Sequence, residues 1–285
     1  MTQRQAELLL MTIIAARSTS YAFSKLSLTA LAPWNLLSIR FALASLCLYL
    51  LFRRRIQHIS RQVLKSSLIL GSVLFACMSL EAISLQTIDS SMASFLESTA
   101  VLWVLCIEPF ILKQHPPRST FVAAACIICG IFLLTTNGAP HAFSSGAVIC
   151  LAASFCYAAW ILLTSRYVRQ SDPILIGILQ MGVIALLSTA AAIPFEPYIL
   201  PNQLSTWLDI LALVFICSVF GFTFQPLAQK YTSADKAGLF AALNPLIAAC
   251  IGWIGLDETL TITQGIGGAL ILTSIVWVQR KPITP

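Results

Sequence analysis

The stretch "QTIDSSMASFL" (residues 86–96) returns as "QKYTSADKAGL" (residues 229–239). Each copy opens on a glutamine, crosses a short polar turn and enters an apolar run. The correspondence extends in both directions. Upstream, "YAFSKLSLTALAPWNLLSIRF" (21–41) aligns with "AAWILLTSRYVRQSDPILIGILQM" (158–181), so Pro33 matches Pro173 and Arg40 matches Gln180. Downstream, "PPRSTFVAAACIICGIFLL" (116–134) aligns with "ETLTITQGIGGALILTSIV" (258–276). The chain reads as two copies of one unit, with expected bounds of 1–137 and 138–285.

The unit is built for a bilayer. The chain is 58% hydrophobic and only 10% charged, where a soluble domain carries about 25% charged residues. Ten segments have the roughly 17–25 mostly apolar residues of a membrane span: 7–28, 34–52, 66–85, 90–112, 119–136, 146–165, 173–193, 207–229, 237–256 and 262–279. The runs are continuously apolar rather than alternating, which selects helices over a β-barrel. The first run, from Ala6, outlasts a signal-peptide core and no small-residue cleavage site follows it, so it reads as a retained span. All nine cysteines fall within spans, where they are expected to act as small buried apolar residues.

Five spans per half is an odd number, so the second copy enters the membrane upside down. The expected fold is an all-α integral membrane protein, with ten transmembrane helices arranged as two inverted five-helix repeats. Inverted repeats are common in secondary transporters, whose sites lie near the midplane between the halves. The basic residues support the span count. Of 17 Lys and Arg, 14 fall on the side of the termini, three fall inside spans and none falls in the opposite loops. By the positive-inside rule both termini are cytoplasmic, in a cell (inner) membrane. The net charge of +6 is therefore a topology signal, with no nucleic-acid partner implied.

The remaining charges carry the chemistry. "MASFLESTAVLW" (92–103) would pass for lipid-facing helix but for Glu97. Arg17 lies near the middle of the first span, and Arg40, Glu81 and Glu97 lie in the outer parts of the next three. Intramembrane charges face the bundle interior and pair with one another. Two Arg and two Glu sum to zero, and depth suggests the pairs Arg40–Glu81 and Arg17–Glu97. The guanidinium groups suit a substrate carboxylate. The glutamates suit an ammonium group or a proton, which makes H+ the candidate coupling ion. The competing reading is that the four charges only hold helices together. Asn244-Pro245 and Gln225-Pro226 interrupt the ninth and eighth spans, each proline freeing a carbonyl, and Asn244 joins the candidate site. Tyr21, Trp103, Tyr157 and Trp160 are candidates to stack on a ligand, against the commoner role of packing. Lys25, at the outer end of the first span, either snorkels to the interface or joins the site. The histidines, His58, His115 and His141, all lie in loops, and there is no HExxH, GxSxG, metal cluster or Walker A sequence. No catalytic residue, metal or cofactor is expected. The partners are a small-molecule substrate and the lipid bilayer.

Three stretches then carry a resemblance: "STSYAFSKL" (18–26), "LAPWNLLSIRFALASL" (31–46) and "YTSADKAGLFAALNPLIAACIGWIGLDETLTITQGIGGALIL" (231–272). Their order and spacing resemble the EamA-type, ten-span carriers of the drug/metabolite transporter superfamily. The third, with Asn244-Pro245, Asp257-Glu258 and Gln264-Gly265, is the strongest match, and Lys25 matches the Lys at the end of the family's first-span motif. The chain departs from the pattern at Arg17-Ser18, where the family usually has Trp-Gly, at Leu102 in place of a proline and at His115 in place of an acidic residue. The resemblance implies a secondary active transporter, an exporter of amino acids and related small metabolites, working by alternating access. A channel or facilitator and a non-transporting membrane receptor are the alternatives.

Overall fold

A computed structural model describes residues 1–57, 59–113, 118–136, 144–247 and 261–279. His58, His115, His141, Cys250, Asp257, Glu258, Arg280, Lys281, the end of the ninth span and the Gln264 side chain lie outside the described residues.

Every regular element among the described residues is helical, and together they trace the ten spans. The first span is α1 (Gln3–Ser18) and α2 (Ser20–Ser27). The second is α3 (Pro33–Ile56) and the third α4 (Arg61–Ser84). The fourth is α5 (Ser90–Ser98) and α6 (Ala100–Ile111), followed by α7 (Arg118–Thr136), α8 (Ser145–Tyr167) and α9 (Pro173–Phe195). The eighth runs through α10 (Leu204–Ala212), a π-helix (Leu213–Phe222) and α11 (Thr223–Gln229). The ninth opens with α12 (Ala234–Phe240) and resumes over 243–247; the tenth is α13 (Ile262–Gln279).

Local chemistry explains where the helices begin. Pro33 and Pro173 both stand in the first turn of their helices, where a missing N–H costs nothing. Thr2 and Gln5 close a reciprocal cap on α1, and Ser60 and Ser144 cap α4 and α8. Asp172 accepts from the Ile174 and Leu175 amides at the start of α9. Its repeat equivalent, α3, is capped from the other half: Glu196 accepts from the Trp34 and Asn35 amides at 3.1 and 2.8 Å. A carboxylate suits the positive end of a helix.

Repeat-equivalent helices pack on each other, α3 on α9 and α7 on α13. Small residues allow the approach. A Cβ on Gly130 of α7 would stand 2.7 Å from the Gly267 carbonyl of α13, and one on Gly177 of α9 would stand 2.2 Å from the Thr223 carbonyl of α11. Backbone this close leaves room for glycine alone. Gly267, in the "GIGGAL" stretch, thus serves helix contact.

Exposure is inverted relative to a water-soluble protein. Arg40 and Glu97 are 2% and 1% exposed, whereas Phe110 and Leu186 are 83% and 74% exposed. Apolar surface outward and charge inward is what a hydrocarbon solvent selects. At the end of the molecule that carries the N-terminus, Lys236 donates to Glu7 at 2.7 Å, with both side chains buried, and Gln3 Nε2 also donates to Glu7. Lys236 reads in the sequence as a loop residue on the side of the termini. It stands instead inside α12, joining the second half to α1 of the first.

Candidate substrate site

The spans around the centre are not continuous helices. The first breaks at Thr19, the fourth at Thr99 and the ninth at residues 241–242, and the eighth widens into a π-helix. Each break is answered chemically. Ser18 and Thr19 hydroxyls donate to the Ala15 and Ala16 carbonyls, and Thr99 donates to Leu96. In the second half the cause is proline. Pro226 has no N–H for the Phe222 carbonyl, and Gln180 Nε2 donates to it at 3.0 Å instead. Pro245 likewise has no N–H for the Ala241 carbonyl, which accepts from the Asn244 amide at 3.1 Å instead, with Ser98 Oγ 3.3 Å away. The freed carbonyls are thus taken up by a side chain of a neighbouring span or by the backbone of the same turn. Irregular backbone at membrane depth is tolerated only when satisfied in this way.

The four intramembrane charges gather at these breaks, but not in the expected pairs. Arg17 Nη1 donates to the Tyr157 hydroxyl and to Gln225 Oε1, both at 2.7 Å. Its guanidinium carbon lies 3.9 Å from the centre of the Phe222 ring. Arg40 Nε donates to Ser218 Oγ at 2.9 Å, and its Nη2 is buried with no hydrogen-bond partner. Glu97 instead accepts from the Tyr21 hydroxyl at 2.7 Å, with the Cys77 thiol 3.9 Å away. Glu81, also buried, lies beside Glu97. Neither arginine makes an ion pair with a described residue. The expected Arg17–Glu97 and Arg40–Glu81 contacts are therefore replaced by neutral partners: hydroxyls and an amide sit nearer each guanidinium.

Other candidate residues divide. Tyr157 and Trp160 are buried and stacked, ring centres 5.9 Å apart, and Trp160 Nε1 donates to Gln180. They form the wall against which Arg17 lies. Asn244 is buried, and its Oδ1 has no partner. Lys25 neither snorkels nor reaches the charges: its ammonium donates to the Leu85 and Ile88 carbonyls at 2.6 and 2.8 Å, just past the end of α4. Trp103 stands apart, 38% exposed and edge-on to Phe155. Its place on α6 turns it outward, as the commoner packing role requires.

A family profile, the EamA-like transporter family, matches this chain twice, over residues 4–136 and 144–280. The chain belongs to the EamA-like transporter family. It is a multi-pass membrane transporter rather than an enzyme. An uncharacterized transporter of Archaeoglobus fulgidus is 25% identical over 198 residues, 70% of this chain and 70% of that one. A threonine/homoserine exporter, RhtA, of Salmonella typhimurium is 23% identical over 252 residues, 86% of this chain and 82% of that one. A probable amino-acid metabolite efflux pump of the same organism is 23% identical over 206 residues, 65% of this chain and 66% of that one. A solved crystal structure with 18% identity superposes with a TM-score of 0.80 over 96% of each chain, which speaks to the fold.

Several residues that shape the centre of this EamA-like transporter escape a search for charge. Ser218, Phe222 and Gln225 come from the eighth span and Gln180 from the seventh. The two glutamines signal themselves as amides inside apolar runs; Ser218 and Phe222 carry no signal. Gly221 is the most constrained of the set. A Cβ there would stand 2.6 Å from Arg17 Cγ and 3.0 Å from Cδ. Those atoms are the stem of the side chain, so Gly221→Ala should push the guanidinium off Tyr157 and Gln225. The expected cost is about 1–3 kcal/mol of stability from overpacking. A roughly tenfold loss of flux should accompany it, the scale of one hydrogen bond to a charged group. Thermal unfolding in detergent and uptake into proteoliposomes measure the two separately.

Proposed function

We propose that this transporter is a secondary active exporter of small zwitterionic metabolites of the amino-acid class, working by alternating access between the two halves. One observation carries the reading: two buried guanidinium groups, Arg17 and Arg40, have only neutral partners, and Arg40 keeps an unused Nη2. A buried cation without a counter-ion is costly, and a substrate carboxylate supplies that counter-ion. The unpartnered Asn244 Oδ1 and the Glu81–Glu97 pair are the acceptors within the bundle for a substrate ammonium group. The two neighbouring carboxyls are also groups that can take up and release a proton, which is what H+ coupling requires. The names of the exporter and efflux-pump relatives agree with this substrate class. Outward transport fits cytoplasmic termini, the orientation read from the basic residues.

The test is counterflow in proteoliposomes. Vesicles preloaded with unlabelled threonine, homoserine or another small amino acid should accumulate the labelled compound transiently and saturably. An imposed pH gradient should drive the same uptake. Flux that rises linearly with concentration would indicate a channel, and no flux of any amino acid would remove the substrate class.

A further inference from the structure

A cavity of about 700 Å³ opens at the end of the molecule that carries the N-terminus, far along the helices from the central charges. Its walls come from both halves: Arg55 at the end of α3, Ser60 ahead of α4, Arg169 and Ser171 between α8 and α9, and Lys230 and Tyr231 after α11. That size lies within the roughly 300–1,000 Å³ of small-ligand pockets. Three cations face it and one anion, Asp172. Asp172 is already engaged by Arg55 at 2.7 Å and by the Ile174 and Leu175 amides. Arg169 and Lys230 form no ion pair with a described residue. Ser171 Oγ is buried with no hydrogen-bond partner. Uncommitted cations and an unsatisfied hydroxyl on one cavity wall call for an anion with several acceptor oxygens.

We infer that this cavity binds a phosphate group, held by Arg169, Lys230 and the Ser171 hydroxyl with Arg55 at its edge. The walls stand where the ends of five spans meet the membrane interface, and basic pockets between helices at that level take phospholipid headgroups. A phosphate there bridges the two halves at one end, so its occupancy favours the conformation in which these walls are close. The source of the phosphate is an anionic lipid of the adjoining leaflet or a soluble phosphate.

The full-length protein is delipidated and exchanged into mixed micelles with phosphatidylglycerol or phosphatidylcholine of matched chains. Retained lipid is counted by native mass spectrometry. Phosphatidylglycerol should be retained selectively, and Arg169→Gln/Lys230→Gln should weaken its retention about 25-fold, roughly fivefold per charge. Both residues are exposed, so the variant should stay monodisperse. Arg53→Gln/Arg54→Gln removes the same charge outside the cavity and should retain lipid as wild type does. A second arm adds inorganic phosphate alone: a thermal shift in the wild type but not in the cavity variant, without lipid selectivity, assigns the site to a soluble phosphate. Equal lipid retention by wild type and cavity variant, with no phosphate-dependent shift, overturns the inference. Equal losses in the two double variants overturn it as well, because general surface attraction then accounts for the binding.

Discussion

Glu97→Gln should reduce transport about 100-fold while leaving the protein folded. The amide keeps the volume of the carboxylate, and its oxygen still accepts from the Tyr21 hydroxyl, which lies 2.7 Å from Glu97 Oε2. Only the charge is lost from that bond, a difference of about 1 kcal/mol between charged and neutral hydrogen bonds. The functional effect is larger. A buried contact from a carboxylate to a substrate ammonium group is worth about 1.5–3 kcal/mol, or about 10- to 150-fold. An amide also cannot take up and release a proton. Uptake into proteoliposomes, set against thermal unfolding of the same preparation, separates the two effects. Glu97→Gln that transports at the wild-type rate would make the carboxylate a helix-holding group and end its role in the cycle. Glu81→Gln is the companion measurement, because loss of pH-gradient-driven uptake in either variant, with exchange retained, assigns the pair to the proton rather than the substrate.

Glu7→Leu should cost about 3–5 kcal/mol of stability, the cost of breaking a buried ion pair by removing one partner. Lys236 lies 2.7 Å from Glu7 with both side chains 5% exposed, so the ammonium that loses this carboxylate has little access to water. Glu7→Leu/Lys236→Met should recover most of the loss, since a buried pair is often replaced by apolar residues at little net cost. The contact joins α1 to α12 across the two halves, so its loss should also affect the cycle. The double variant, refolded and stable, should expose that end of the molecule more readily to a thiol reagent at a cysteine placed beside it. If the single and double variants unfold at the same temperature, the ammonium reaches water and the pair contributes little.

Much of the architecture is legible without coordinates. The spans, the equivalence of Pro33 and Pro173 and the burial of Arg17, Arg40, Glu81 and Glu97 all follow from residues that a bilayer treats severely. A charge placed in hydrocarbon or a span cut short costs several kcal/mol, so few sequences conceal such features. Lys25 and Trp103 were less legible. A lysine near a span end reads as a snorkelling group or as a member of the site, and only the position of the Leu85 and Ile88 carbonyls makes it a helix cap instead. An aromatic residue carries no mark of the face it occupies, and Trp103 lies outward because of how α6 is turned against α8. Lys236 and Glu7 were missed as a pair because each stands at the edge of its span, where charges are ordinary.

What the sequence determined by itself is the list of groups that had to be hidden and how deep each lies: ten spans, two inverted copies, and the charges Arg17, Arg40, Glu81 and Glu97 of the first half. Depth follows from counting along a helix. Partner choice depends on the rotation of each helix and on which neighbour approaches, and neither is written along one span. The tertiary structure alone decided that Arg17 turns to Tyr157 and Gln225, that Arg40 turns to Ser218 and that Glu97 is held by Tyr21. The π-helix at Leu213–Phe222 and the glycine at 221 place the eighth span close enough to do this. Two prolines free the Phe222 and Ala241 carbonyls, which accept from Gln180 and from the Asn244 amide. The physical reason is that bilayer energetics act on each residue singly, whereas pairing inside the bundle is settled by packing among ten helices at once.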